Sequence, residues 1–117
     1  MTTKKFKDTI GLVGVGNMGK AIIEGIITNK VFKSREIFVY DKISEKAASF
    51  AADWQTNQAL SHAEISSNCG IIILAVKPQD LKDTLEELKP LKPKTLIISI
   101  LAGTPIKQIR QIMEILL

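Results

Sequence analysis

The sequence has little of what a disulfide-bonded, metal-binding or membrane-spanning protein needs. It contains one cysteine and one histidine among 117 residues, and a single cysteine forms no internal disulfide and supplies no metal-ligand quartet. No apolar run reaches the roughly 20 residues that cross a bilayer. The apolar stretch after the basic N-terminus is interrupted by glycines, which is untypical of a signal peptide. We therefore expect a soluble protein of the reducing cytoplasm, with no metal site and with Cys69 as a buried thiol.

The charge of the chain is spread evenly. Lysine and arginine outnumber aspartate and glutamate by 16 to 12, which gives a net charge of +4. Because the basic residues form no run and aromatic residues make up only 5% of the chain, the pattern does not favour nucleic acid as a partner. We expect the charge to maintain solubility and to attract small anions. The length predicts one domain with a substantial core.

What the sequence does contain is a glycine-rich loop. The stretch Ile10–Gly19 reads Ile-Gly-Leu-Val-Gly-Val-Gly-Asn-Met-Gly and joins a short apolar strand to a helical pattern. Gly14 permits a tight turn, Gly16 leaves the backbone open to a pyrophosphate, and Gly19 lets the helix pack closely on the strand. A plain turn needs only one glycine, so this spacing indicates a dinucleotide site.

Two further features bear on the dinucleotide. The free N–H groups of Asn17 and Met18, with the positive end of the helix dipole, would offset the charge of a diphosphate. Asp41 ends a second apolar strand, about 20 residues beyond the loop, where it can accept hydrogen bonds from a ribose. Lys42 follows at once and could reach a 2′-phosphate. The cofactor is therefore NADP(H) or NAD(H), and we expect NADH to be tolerated because Asp41 is the better placed of the two.

Apolar runs and amphipathic helical patterns alternate along the whole chain. With right-handed connections, this alternation predicts an α/β Rossmann-type doubly wound parallel sheet in the order 3-2-1-4-5, with helices on both faces. After the first strand, the predicted strands are Ile37–Tyr40, Thr56–Ala59, Ile71–Val76 and Thr95–Ile100. The predicted helices run from the glycine loop to Asn29, from an N-cap at Ser44 to Trp54, from Ser61 over a short stretch, from Gln79 to Lys89, and onward from a cap at Thr104.

Ligands of such sheets bind at the carboxyl ends of the strands, where the strand order reverses. Four segments should meet there: the glycine loop, Asp41 with Lys42, Ala75–Pro78, and Leu101–Gly103. No pair of nucleophile and base can be argued from the sequence, because Ser99 has no histidine placed to activate it. We therefore predict no catalytic side chain within this chain.

Three segments together resemble a known family. Gly14-Val15-Gly16-Asn17-Met18-Gly19, Ala75-Val76-Lys77-Pro78-Gln79 and Ser99-Ile100-Leu101-Ala102-Gly103 are similar in order and spacing to the dinucleotide-binding domain of pyrroline-5-carboxylate reductases. These enzymes reduce 1-pyrroline-5-carboxylate to proline with a hydride from NADPH or NADH, a step of proline biosynthesis. The resemblance covers nearly all of the chain from Ile10 onward.

The resemblance implies a role for each matching position. It places the pyrophosphate at Val15, Gly16, Asn17 and Met18, and the adenosine ribose at Asp41. It places the nicotinamide ribose at Ala75, Val76 and Lys77, and the nicotinamide pocket at Ala102 and Gly103. Near the adenine the family often has an asparagine that aligns with His62, and alanine is usual where this chain has Leu101. From its own position, a lone histidine at a helix start is more often an exposed residue without a functional role.

The resemblance also implies a missing part. The family continues into a helical domain that binds the substrate and forms the dimer, so we expect residues 1–117 to be a single NAD(P)-binding domain, a fragment that is inactive alone. A small imino acid would bind only with the further domain, and homo-oligomers are possible. The alternatives are a non-catalytic nucleotide-binding module, or the cofactor domain of a prephenate dehydrogenase, a β-hydroxyacid dehydrogenase or a deazaflavin-dependent NADP reductase.

Overall fold

A computed structural model describes residues 9–100 of the chain. Strands and helices alternate through this range, as the sequence pattern predicts. The elements are β1 Thr9–Val13, α1 Asn17–Thr28, β2 Ile37–Tyr40, α2 Ser44–Trp54, β3 Asn57–Gln58, α3 His62–Asn68, β4 Cys69–Leu74, α4 Leu81–Leu88 and β5 Leu96–Ser99, with 3₁₀ turns at Ser34–Glu36 and Pro78–Asp80. The predicted segment Leu101–Gly103 and the helix expected after Thr104 lie outside the described residues.

The strands form one parallel sheet in the order β3-β2-β1-β4-β5. In the middle of the sheet, Leu12 of β1 is in register with Val39 of β2 and with Ile73 of β4. The order is the predicted one. From β1 to β3 the chain adds strands on one side of β1, and it then returns to place β4 and β5 on the other side. β1 and β4 are therefore neighbours at the switch point, where open α/β sheets bind their ligands.

The sheet divides the core into two layers. Side chains alternate between faces along each strand, so Ile10 and Leu12 of β1 pack on one side while Val13 packs on the other. The first layer is completed by residues of α1 and α2, namely Ile23, Ala47, Phe50 and Ala51. The second is completed by residues of α3 and α4, namely Ile65, Leu81, Leu85 and Leu88. Helices therefore cover both faces, as predicted.

The helical spacing of the leucines in residues 79–89 predicts one buried stripe on α4, and the structure confirms it. Leu81, Leu85 and Leu88 are at most 2% exposed, and burial of each is worth about 1.5–3 kcal/mol. The helix starts later than predicted, because Pro78–Asp80 forms a 3₁₀ turn before it. β4 likewise ends at Leu74 and not at Val76, since the chain leaves the sheet at Ala75 to pass over Gly14.

The edges of the sheet differ from its centre. β3 is reduced to two residues, Asn57 and Gln58, that pair with β2, and such short polar strands are tolerated at an edge. At the other edge, Leu96 and Ile98 of β5 are 48% and 41% exposed. Within residues 9–100, no helix has the length and apolar character that crossing a bilayer requires.

Candidate functional site

The loop between β1 and α1 turns sharply at Gly14. Its φ is +102°, a conformation that L side chains rarely adopt, and a Cβ at this position would lie 2.5 Å from the carbonyl oxygen of Ala75. The Gly14 N–H donates to the carbonyl of Tyr40 over 2.8 Å. The turn therefore requires glycine both for its backbone angle and for the closeness of the chain after β4.

Gly19 brings α1 onto the sheet. A Cβ there would lie 2.7 Å from the Gly14 carbonyl oxygen and 3.1 Å from a methyl carbon of Leu12. The helix could not approach β1 so closely with any larger residue, which confirms the packing role predicted for this glycine.

Gly16 is different, because the protein itself does not require a glycine there. Its φ of −97° and ψ of −174° suit any residue, and a Cβ would meet no atom within 4 Å. Gly16 is the N-cap of α1, yet no side chain caps this helix and its first turn contains no acidic residue. The structure thus leaves open space beside uncapped backbone N–H groups, an arrangement that fits an anion such as a pyrophosphate.

The next two residues, Asn17 and Met18, are exposed at the start of α1. The helical spacing of Met18 with Ile22 and Ile26 predicts an inward-facing side chain, and that prediction is wrong, because Met18 is 59% exposed. It lies in the first turn, beyond the end of β1, whereas Ile23 one turn later is fully buried. Asn17 lines the open space beside Gly16.

Asp41 connects the glycine loop to the loop after β2. Its Oδ2 accepts a hydrogen bond from the Val15 N–H and its Oδ1 accepts one from the Ile43 N–H, each over 2.8 Å. The second bond explains why α2 has Ile43 as its N-cap and not Ser44, the predicted cap. Each carboxylate oxygen retains a further lone pair, so Asp41 can still accept from a ribose hydroxyl. Val15, however, is buried and its N–H is already engaged with Asp41.

A cavity of about 390 Å³ lies at the carboxyl ends of β1, β2 and β4. It brings together eight of the predicted residues: Gly14, Gly16, Asp41, Lys42, His62, Ala75, Val76 and Lys77. A neighbouring groove of about 590 Å³, between α1 and α2, includes Val15 and Asn17 and shares Gly16 with the cavity. Ala102 and Gly103, the expected nicotinamide side, lie outside the described residues.

An aromatic pair forms one wall of the cavity. The rings of Tyr40 and His62 are 4.4 Å apart between centroids and tilted by 52°. Burial lowers the pKa of His62, although the carboxylate of Glu87 acts in the opposite direction. Tyr40 was not among the predicted site residues, because a tyrosine that ends a buried strand cannot be distinguished by pattern from one that only packs.

Part of the lining is acidic. Asp80, Asp83 and Glu87 line the cavity from the Pro78–Asp80 turn and α4, and Nζ of Lys42 lies 3.4 Å from Oδ2 of Asp80. These carboxylates were not among the predicted site residues, although their spacing of three and four residues places them on one helix face. Among residues 9–100, no group of three or more histidine, cysteine, aspartate or glutamate residues could hold a metal ion.

Comparison with known proteins gives a consistent family. A family model described as NADP oxidoreductase, coenzyme F420-dependent, matches residues 9–103. The pyrroline-5-carboxylate reductase of Escherichia coli K12 is 36% identical over 101 residues, which are 86% of this chain and 38% of that enzyme. The chain thus spans well under half the length of this curated relative.

Two solved structures agree with the sequence matches. A pyrroline-5-carboxylate reductase from Coxiella burnetii superposes with a TM-score of 0.84 at 27% identity, over 92% of this chain and 40% of that one. The Plasmodium falciparum pyrroline carboxylate reductase, solved with NADP bound, gives a TM-score of 0.79 at 28% identity, over 92% of this chain and 38% of that one. The resemblance predicted from the three motifs is confirmed.

Proposed function

The chain belongs to the family of coenzyme F420-dependent NADP oxidoreductases, and from this premise we propose that it is the NAD(P)H-binding domain of a pyrroline-5-carboxylate reductase. Gly16 carries the nucleotide-binding part of this proposal, and the similarity to the Escherichia coli reductase supports the rest. Neither the backbone angles nor the surroundings of Gly16 require a glycine for folding. A pyrophosphate bound close to the backbone would require one.

Each part of the site then has a definite task. The open start of α1, with Gly16 and Asn17, receives the pyrophosphate through backbone N–H groups and the helix dipole. The adenosine lies in the 390 Å³ cavity, with Asp41 at the ribose and the Tyr40–His62 wall beside the purine. Ala75, Val76 and Lys77 extend the site toward the nicotinamide. The cofactor supplies the hydride when bound, and this domain contributes binding and orientation.

NADPH is the better supported of the two cofactors. The family description names NADP, and the Plasmodium falciparum relative was solved with NADP. NADH remains a second candidate because Asp41 carries a negative charge where the two cofactors differ.

The rest of the enzyme belongs to other parts of the protein. The chain spans 38% of the Escherichia coli relative, so we propose that a further domain binds the imino acid and forms any homo-oligomer, and that residues 1–117 alone do not reduce it. The buried Cys69 thiol is compatible with a cytoplasmic location. No nucleic-acid partner is proposed.

A second candidate function has one observation in its favour. The family model takes its description from coenzyme F420-dependent enzymes, so the domain could serve a deazaflavin-dependent NADP reductase. A full-length protein that reduces NADP with reduced F420, and that forms no proline from pyrroline-5-carboxylate, would favour this candidate. A chain that binds the nucleotide but performs neither reaction in its full-length form would instead be a non-catalytic module.

The experiment that tests the proposal is calorimetric titration of the 117-residue chain with NADPH and, separately, with NADH. We expect saturable one-to-one binding of at least one of them. A folded chain that binds neither would refute the proposal. Proline formation by the purified 117-residue chain would contradict the assignment of the substrate site to another domain.

A further inference from the structure

The ion pair between Lys42 and Asp80 bears directly on which nucleotide the site prefers. Lys42 follows the end of β2, the position from which a basic side chain reaches a 2′-phosphate. In the structure its Nζ lies 3.4 Å from Oδ2 of Asp80, a residue 38 positions further along the chain. The Lys42 side chain is 71% exposed, so this contact is not imposed by packing.

Asp80 makes this contact from the end of the Pro78–Asp80 turn, which continues directly into α4. Its backbone is already helical, with φ −95° and ψ −4°, so its side chain is not placed to cap α4, and it forms no capping hydrogen bond. The carboxylate is directed to Lys42 instead, at the edge of the cavity that both residues line.

We propose that Asp80 is a positioning residue that lowers the preference of this site for NADPH by holding Lys42 away from the 2′-phosphate. The inference rests on the proposed function of the cavity as the adenosine site. When NADPH binds, Lys42 must exchange the carboxylate of Asp80 for the phosphate. NADH has no 2′-phosphate, so the Lys42–Asp80 pair can remain intact when NADH binds, and no ion pair has to be broken.

The surroundings make this exchange matter. Apart from the Lys42–Asp80 pair, the cavity is lined by three carboxylates, of Asp41, Asp83 and Glu87, and by two lysines, Lys46 and Lys77. A 2′-phosphate therefore enters a lining in which carboxylates outnumber the remaining ammonium groups. Lys42 is therefore a valuable counter-charge for the phosphate, and its capture by Asp80 removes part of that compensation. Because the pair is exposed, the effect should be modest and should weaken with salt.

The test measures dissociation constants of NADPH and NADH by calorimetry for wild type, Asp80→Asn, Lys42→Gln and the double variant. Asp80→Asn should tighten NADPH binding about two- to fivefold, the range of an exposed ion pair, and leave NADH binding unchanged. Lys42→Gln should weaken NADPH binding alone. In the Lys42→Gln background, Asp80→Asn should no longer change the ratio of the two constants.

Three controls keep the result specific. Asp80→Ser removes the same charge with a side chain that also caps helices, and it should shift the ratio as Asp80→Asn does. Glu86→Gln removes one charge from an exposed position of α4 outside the cavity, and it should leave the ratio unchanged. When the titrations are repeated at 0.5 M salt, the gain in NADPH affinity of Asp80→Asn should be smaller. Thermal unfolding of every variant establishes that the compared proteins are folded.

Three outcomes would overturn the inference. A gain that persists in the Lys42→Gln background would mean that Asp80 acts by its own charge. Weaker NADPH binding in Asp80→Asn would mean that Asp80 presents Lys42 to the phosphate. An unchanged ratio would mean that the pair has no part in selectivity. Failure of the wild type to bind either nucleotide is a different result, because it would refute the proposed function as well.

Discussion

Replacement of Gly16 by valine should change the affinity for the nucleotide while leaving the free energy of unfolding almost unchanged. A valine at φ −97° and ψ −174° adopts an ordinary extended conformation, and its Cβ would enter space with no atom within 4 Å. Valine is a poorer N-cap than glycine, at a cost of about 1 kcal/mol or less. The reduced freedom of the unfolded chain offsets this by about 0.4–1 kcal/mol. The free energy of unfolding should therefore change little.

The affinity for the nucleotide should change much more. The valine methyl groups would fill the space that the pyrophosphate oxygens need above the start of α1. Loss of one charge-assisted hydrogen bond costs about 1.5–3 kcal/mol, which corresponds to a dissociation constant roughly 10 to 150 times larger. The loss should be the same for NADPH and NADH, because both contain the pyrophosphate.

The assay pairs calorimetric titration with urea unfolding followed by circular dichroism. Gly14→Ala is the contrasting variant, since its Cβ would lie 2.5 Å from the Ala75 carbonyl oxygen at a φ of +102°, and it should lose stability. Gly16→Val that is folded and binds NADPH as tightly as wild type would show that the pyrophosphate does not lie at this loop. Gly16→Val that unfolds like Gly14→Ala would refute the claim that the fold does not need this glycine.

Three further predictions follow from contacts and pKa shifts in the structure. Gly19→Ala should lower the free energy of unfolding by about 1–3 kcal/mol, because its Cβ would lie 2.7 Å from the Gly14 carbonyl oxygen; an unchanged urea midpoint would contradict this. Burial raises the pKa of the Cys69 thiol to about 11, so iodoacetamide at pH 8 should label the protein in urea and scarcely at all when folded. Burial lowers the pKa of His62, so the unfolded state binds its proton more readily and stability should fall as the pH decreases below about 6.5. His62→Gln should flatten that decrease in urea unfolding measured between pH 7.5 and 5.

The fold could be predicted because its main signal is local. Continuous apolar runs such as Ile71–Leu74 occur where a parallel strand is covered on both faces. The helix period of Leu81, Leu85 and Leu88 marks a single buried stripe. Boundaries were less accurate, since they depend on contacts between segments. β4 leaves the sheet at Ala75 because the chain must cross Gly14, and no periodicity within residues 71–76 records that crossing.

The site was predicted as a set of positions, but not as a set of interactions. The glycine spacing and the acid at the end of β2 are tied to local backbone geometry, so they can be read from the sequence. The Lys42–Asp80 contact cannot be read in this way, because only the strand order brings the end of β2 near the turn after β4. The contact between Tyr40 and His62 cannot be read from the sequence either. The two residues belong to different elements, and only the fold brings their rings together.

Asp41 shows why this distinction matters for the choice of experiment. From the sequence, its carboxylate reads the ribose, and substitution should then change only the ratio of NADH to NADPH affinity. In the structure the same carboxylate accepts hydrogen bonds from the N–H groups of Val15 and Ile43. Any substitution of Asp41 therefore releases the glycine loop and the start of α2 together with the ribose contact, and both nucleotides should bind more weakly. Selectivity is better measured at Asp80, whose side chain bonds neither the glycine loop nor α4, so that its removal changes the availability of Lys42 without disturbing the pyrophosphate site.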